Sequence, residues 1–173
     1  MELRTARLLL RPFRADDQAA LQPIIGDPET ARWSPEEPIE AGAFLRYSLE
    51  FETEEPRNHW RFAVLRQADG SLLGSAELHI ESHEHRRGTL GYLISPAAQG
   101  QGFATEAAQA VLDFGLGVGG LHRIYATCDP ENVGSSRVLE KIGMTREGLL
   151  RDYYLVGGEW RDRLIYAKLA QLR

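Results

Sequence analysis

The sequence predicts a single α/β domain of the α+β kind over residues 1–173, with a mixed, mostly antiparallel sheet of about six to seven strands and about four helices on its faces. Three observations carry that expectation. Strand-like runs at 59–66, 72–80 and 89–95 follow one another with only polar turns between them, as in an antiparallel meander. A strand–helix–strand passage comes next, from TLGYLIS through a long helical run to HRIYATC, and makes a parallel crossover. Finally, 173 residues with 43% hydrophobic content suffice for one core, and no repeat, low-complexity tract or flexible linker divides the chain.

The elements follow in order. LRTARLLLRPF reads as a strand closed by Pro12, and Ala15-Asp16-Asp17 opens a helix through Leu21, Ile24 and Ile25 that Gly26 stops. DPETARWSPEEP reads as a polar, Pro-marked loop, with a helix from Ile39 to about Phe51 behind it. HWRFAVLR and LLGSAELHI flank the turn QADGS, and ESHEHRRG is an exposed connection to the third strand of the meander. A long helix runs from about Gly102 to Leu116, and ENVGSSRVLEKIG forms another, with Asn132 as N-cap and Gly143 past its last turn. The closing segment is a hairpin turning at Gly157-Gly158.

Composition excludes several functions. A net charge of −5 and a pI near 5.6 oppose direct nucleic-acid binding through a basic surface. No apolar run reaches the ~18 residues of a membrane span, and MELRTARLLLRPF lacks the pattern of a signal peptide, so the expected setting is cytoplasmic. The single cysteine, Cys128, permits no intramolecular disulfide and no cysteine metal cluster, and it reads as a core thiol. HIESHEH gathers His79, His83 and His85 among Glu77, Glu81 and Glu84, but in an exposed connection between strands rather than at i, i+4 spacing on a helix, so no metal is expected.

The chemistry is concentrated in SPAAQGQGFATEA, a Gly-rich turn opening the long helix. Such a turn brings N–H groups and the positive end of a helix dipole to an anion. A nucleotide-triphosphate loop of the Gly-Lys-Ser/Thr type fails because the stretch has no lysine, and a dinucleotide loop fails because three antiparallel strands precede it. Gln99-Gly100-Gln101-Gly102-Phe103-Ala104 instead fits Gln/Arg-x-x-Gly-x-Gly/Ala. One strand later comes Asn132-x-x-Ser135-x-x-Val138-Leu139-Glu140-Lys141-Ile142-Gly143-Met144. With LRTARLLLRPF and Gly91-Tyr92, these motifs resemble the GNAT superfamily of N-acetyltransferases over nearly the whole chain. Within it they resemble the ribosomal-protein N-terminal alanine/serine acetyltransferases.

The resemblance implies a GNAT fold with a centrally splayed sheet, acetyl-CoA as co-substrate, and an amine acceptor that is a protein N-terminus or a cationic small molecule. It also admits a homodimer. It places the pantetheine on the main chain of Leu93, Ile94 and Ser95, and the diphosphate on the N–H groups of Gln101, Gly102, Phe103, Ala104 and Thr105, with Gln99 and Gly100 shaping the turn. Thr105 and Glu106 equally suit an ordinary first helical turn. Ser135 is placed at the leaving thiolate and Asn132 at a pantetheine amide or the amine, while a plain N-cap pair explains both residue types as well. Arg137 and Lys141 share a helix face that either meets the 3′-phosphate or is solvated.

Direct attack of a neutral amine on the thioester, in a ternary complex and through a tetrahedral intermediate, needs a base, an oxyanion donor and an acid. The resemblance assigns the oxyanion donor to a backbone N–H near Leu93. The base is where the chain departs from its relatives: Thr89 stands where many carry Glu, and Arg-Asp-Tyr-Tyr stands where some carry a carboxylate. Strand parity puts Glu77 and His79 on one face of LLGSAELHI, opposite Leu72, Ala76, Leu78 and Ile80. That face is either solvated or lines the cleft; if it lines the cleft, Glu77 is the first candidate base and His79 the second, with Tyr153 or Tyr154 as an acid or hydrogen-bond donor. The missing glutamate leaves a second reading, an acyl-CoA-binding sensor or scaffold without turnover. Residues 27–56 hold nine acids, Glu36 and Glu37 among them, against Arg32 and Arg46. They form either a wall for a cationic acceptor or a solvated helix face, with Trp33 on the acceptor or over the core.

Overall fold

The computed structural model describes residues 1–34 and 39–171. Eight strands form one sheet: β1 (Leu3–Arg4), β2 (Leu8–Pro12), β3 (His59–Arg66), β4 (Leu72–Ser82), β5 (Arg87–Ile94), β6 (Arg123–Cys128), β7 (Thr145–Val156) and β8 (Glu159–Leu169). Their order across the sheet is β1-β2-β3-β4-β5-β6-β8-β7. Every pairing is antiparallel except β5–β6, the parallel crossover that the sequence predicts. Among the described residues five α-helices accompany it: α1 (Gln18–Ile25), α2 (Pro28–Arg32), α3 (Ala41–Glu50), α4 (Phe103–Leu116) and α5 (Val133–Lys141).

Three boundaries depart from expectation. The first strand is two, because Thr5 turns the chain: its N–H donates to Leu8 O at 3.0 Å and its hydroxyl accepts from Leu8 N at 2.9 Å. The segment at 27–34 is not all loop, since Asp27 caps α2 by accepting from Glu29 N at 2.8 Å, with Pro28 in its first turn. Half of ESHEHRRG is strand, because β4 runs on to Ser82 and β5 begins at Arg87, leaving a four-residue turn. Glu36 and Glu37, two of the nine acids of the expected wall, lie outside the described residues.

The main core lies on one face of the sheet. Leu8, Leu10, Phe62, Val64, Leu78 and Ile124 meet Val111, Leu112 and Phe114 of α4 and Leu139 of α5. A smaller cluster of Phe13, Leu21, Ala41, Leu45 and Ala63 seats α1 and α3 on the other face. Both clusters are mostly aliphatic, and the alternation of β3 and β4 sends neighbouring side chains to opposite faces. Helices therefore cover both faces, while the middle of the second face, beyond α3, is left to polar side chains.

One buried ion pair ties the chain's start to α1. Arg11 donates through both terminal nitrogens to Asp17, at 2.8 and 2.7 Å, and Asp17 also accepts from Arg14 N at 2.7 Å. Burial pushes the Asp17 carboxyl up, but the Arg11 and Arg14 contacts outweigh it and hold the group below its ordinary value. The pair therefore contributes stability above pH 3.8, lost as pH falls through the lower folded value. Asp17→Asn should cost about 3 kcal/mol at pH 7 in urea unfolding, because it leaves Arg11 buried and unanswered. The deficit relative to the parent should shrink below about pH 4; a pH-independent deficit would contradict the assignment.

Candidate active site

The site is built where the sheet comes apart. β5 and β6 pair only from Arg87 to Thr89 against Arg123 to Tyr125. Beyond that, β5 stays with β4 as far as Ile94 and β6 stays with β8 as far as Cys128, so a wedge opens between them. Ser95 N donates to Leu73 O at 2.8 Å, continuing the β4–β5 ladder. Alternation then turns the main-chain groups of Leu93 and Gly91 toward β4 as well, and those of Tyr92 and Ile94 into the wedge. Of the expected Leu93, Ile94 and Ser95, only Ile94 therefore presents its main chain to the gap, and its carbonyl already accepts from Gln99 Nε2 at 3.0 Å. Tyr92, outside the expected three, also presents its main chain to the gap.

The wedge belongs to a cleft of about 1020 Å³ that runs from the glycine loop to the polar face of the sheet. Gln99, Gly100, Gly102, Phe103, Ala104 and Thr105 all line it, whereas Ser95 and Gln101 do not. Gly102 is the N-cap of α4 with φ +81°, a left-handed conformation that favours glycine, and it brings no side chain to cap the helix. The first intrahelical bond is Glu106 N to Gly102 O at 3.1 Å, which leaves the N–H groups of Phe103, Ala104 and Thr105 pointing out of the helix end. Three convergent donors at the positive end of a helix fit a diphosphate.

Glu106 faces away from that role. It accepts from Thr5 Oγ1 at 2.6 Å, Arg7 N at 2.8 Å and Arg7 Nε at 2.7 Å. Burial pushes its carboxyl up, but these donors prevail and hold it below its ordinary value. Arg7 in turn donates to Gln101 O at 2.9 Å and lies 4.5 Å over the Phe103 ring. The β1–β2 turn thus grips the glycine loop from outside, a role the sequence did not disclose for Arg7.

α5 closes the other side of the wedge. Asn132 caps it, accepting from Ser135 N at 2.9 Å, so the N-cap function is present. Ser135 also shares a 2.8 Å hydroxyl–hydroxyl hydrogen bond with Tyr92. Burial raises the Tyr92 phenol far above its ordinary value, outweighing the Ser135 contact, so it keeps its proton. Asn132, Ser135, Arg137 and Lys141 all line the cleft. Cys128 is buried in the core, its thiol pushed up by burial and 3.4 Å from Ser136 Oγ.

The face carrying Glu77 and His79 lines the cleft rather than open solvent. Cross-strand pairing sets Arg61, Glu77 and Gly91 side by side, with His59, His79 and Thr89 in the next row. Arg61 Nε donates to Glu77 at 2.6 Å while its guanidinium lies over Phe44 and Phe51. The carboxylate then rests on Gly91, where a Cβ would come within 2.8 Å of Glu77 Oε1, so Gly91 makes room for it. His59 stacks between Phe51 at 4.3 Å and His79 at 4.1 Å, and its Nδ1 meets Glu54 at 2.9 Å. That hydrogen bond holds Glu54 down at about 2, and burial, helped by His59, lowers His79. Imidazole at position 79 is accordingly neutral at physiological pH.

A bulge in β7, with Asp152 at φ +49°, brings Tyr153 and Tyr154 to the cleft rim. Of the acids at 27–56 among the described residues, only Glu29 lines the cleft, beside Trp33. Glu52 pairs with Arg57 and Glu54 with His59, so much of the expected negative wall is answered locally. Among the described residues no group of His, Cys, Asp and Glu is arranged to hold a metal, and no helix is long and apolar enough to cross a membrane.

Comparison with known proteins gives the same reading. Residues 7–145 match the acetyltransferase (GNAT) domain family. The chain is 35% identical over 173 residues to the uncharacterized N-acetyltransferase YnaD of Bacillus subtilis, covering 99% of this chain and 98% of that one. It is 32% identical over 157 residues to spermidine N(1)-acetyltransferase of Escherichia coli, covering 90% and 82%. A solved RimJ of Mycobacterium smegmatis in complex with CoA-disulfide superposes with a TM-score of 0.86 at 30% identity, covering 99% of this chain and 87% of RimJ. Helix N-terminus, wedge and sequence agree: the chain belongs to the GNAT family and is an acetyl-CoA-dependent N-acetyltransferase.

Proposed function

We propose that the protein transfers the acetyl group directly to a primary amine within a ternary complex. The observation that carries this reading is the wedge itself. A helix N-terminus that suits a diphosphate and a polar floor that suits an amine open onto the same gap between β5 and β6. Acetyl-CoA supplies the thioester there, and the rest is done by this chain's side chains and main chain.

The N–H groups opening α4 hold the diphosphate, with Gly100 and Gly102 allowing the close approach, and Arg137 and Lys141 face the 3′-phosphate. The main-chain groups of Tyr92 and Ile94 take the pantetheine amides, extending β5 on its open edge as a strand partner does. Ser135 donates a proton toward the departing sulfur, with the Tyr92 phenol behind it as a proton-holding donor, while Asn132 fixes the turn that aims Ser135. Glu77, pinned by Arg61 and seated over Gly91, takes the proton from the amine; neutral His79 stands next in line on the same face. Tyr153 and Tyr154 border the acceptor. Relatives named as a spermidine N(1)-acetyltransferase and as a ribosomal protein uS5-alanine N-acetyltransferase support an amine acceptor of either the small-molecule or the protein kind.

Coenzyme binding by calorimetry, together with thiol release across amine and peptide panels, tests the reading. Glu77→Gln should lower kcat about 100-fold or more while leaving acetyl-CoA affinity intact. Ser135→Ala should lower kcat about 10-fold or more, again with the coenzyme bound. Coenzyme binding with no transfer to any amine would overturn catalysis by this route, and a fully active Glu77→Gln would remove Glu77 as the base.

A further inference from the structure

Arg163 on β8 is a buried cation that no described carboxylate answers. The residue is only 4% exposed, and its Nε has no hydrogen-bond partner among the described residues. No ion pair joins it to a described carboxylate within 4.0 Å, and the group it meets is the Tyr154 ring, 5.2 Å away. A cation over an aromatic ring contributes about 1 kcal/mol, against several for taking a guanidinium out of water. Nothing among the described residues offsets that cost.

Its position says what would. Cys128 pairs with Leu164 across β6–β8, so Asp129 falls opposite Arg163 one step further on. Through Thr127–Ile165, Tyr125–Ala167 and Thr89–Tyr125, the alternation puts Arg163 on the same face as Thr89, Glu77 and His79. Arg163, Asp129, Thr127 and Tyr154 all line the cleft there. The acceptor floor thus carries a carboxylate and a guanidinium side by side, neither ion-paired to the other. An acceptor that carries an ammonium and an oxygen a few bonds apart complements that arrangement, whereas a polyamine brings only positive charge to a buried cation.

We propose that Arg163 sets acceptor specificity by taking a carbonyl or carboxylate oxygen close to the reacting amine. The preferred acceptors are α-amino carbonyl compounds, as peptide amino termini and free amino acids are. The proposal rests on the acetyltransferase reading of the cleft and narrows it. An N–H⁺···O contact at a buried guanidinium discriminates strongly, because the analogue without the oxygen leaves the donor unpaired.

Alaninamide, alanine, isopropylamine and spermidine, compared as acceptors for the full chain, test it. Alaninamide, alanine or both should exceed isopropylamine and spermidine in kcat/KM by about 10-fold or more. Their relative rates separate a neutral carbonyl, as in a peptide, from a carboxylate. Arg163→Met should raise KM for the oxygen-bearing acceptors by a similar factor and leave KM for acetyl-CoA and for isopropylamine unchanged, while Arg163→Lys keeps part of the preference. Equal use of isopropylamine and alaninamide by the parent overturns the proposal, as does a preference that survives Arg163→Met. If Arg163→Met does not fold, the parent's own ranking decides. Should no amine be acetylated, the function proposed above fails by itself. Calorimetric titration of the CoA-bound protein with alaninamide and isopropylamine then judges Arg163, with equal or absent binding counting against it.

Discussion

The whole site depends on where one parallel ladder stops. β5 and β6 share hydrogen bonds only as far as Thr89 and Tyr125, because each is committed to an antiparallel neighbour that draws it away. Main-chain donors and acceptors in the middle of a sheet are normally all paired. Here those of Tyr92 and Ile94 face a gap, which is tolerable only where a polar ligand or water completes them. The same divergence lets α4 and α5 flank the opening from the core side and exposes Glu77 on the other. A longer β5–β6 pairing would seal the sheet and remove donor and acceptor sites together.

Charge is handled differently on the two sides. On the core side, positive potential comes from peptide dipoles at the start of α4, needs no ionised group, and suits a bound diphosphate at any physiological pH. On the floor, charges come as side chains in close pairs: Arg61 with Glu77, His59 with Glu54, Arg87 with Glu81. Such pairing keeps a polar surface rigid and near neutral, so Arg163, with no ion pair among the described residues, stands out against it. His79 fits the same economy, held neutral by its burial and its stack on His59.

Much of the donor site was legible in the sequence, since glycine spacing and helix caps are local features. Gly100, Gly102 and the N–H run behind them could be placed from six consecutive residues, and Asn132 with Ser135 from one helical turn. The strand at 59–66 and the helix from 103 likewise announce themselves by short-range pattern. Glu77 and His79 could be assigned to one face by parity, but whether α3 and its flanking aromatics would roof that face is a tertiary fact. Arg7, Tyr92 and Arg163 stayed hidden for a related reason. Their partners lie far off in sequence, as with Tyr92 and Ser135, 43 residues apart. Arg7 and Arg163 look like ordinary basic residues until the fold buries or clamps them.

The grip of Thr5 and Arg7 on Glu106 spans about a hundred positions, with sequence separations of 101 and 99. Contacts so remote form only after long stretches of chain have been brought together, against a loop-closure entropy that no local preference offsets. The glycine loop is therefore held in this shape only where the β1–β2 turn meets α4. Coenzyme recognition is in this sense a property of the assembled fold rather than of the displaying helix alone.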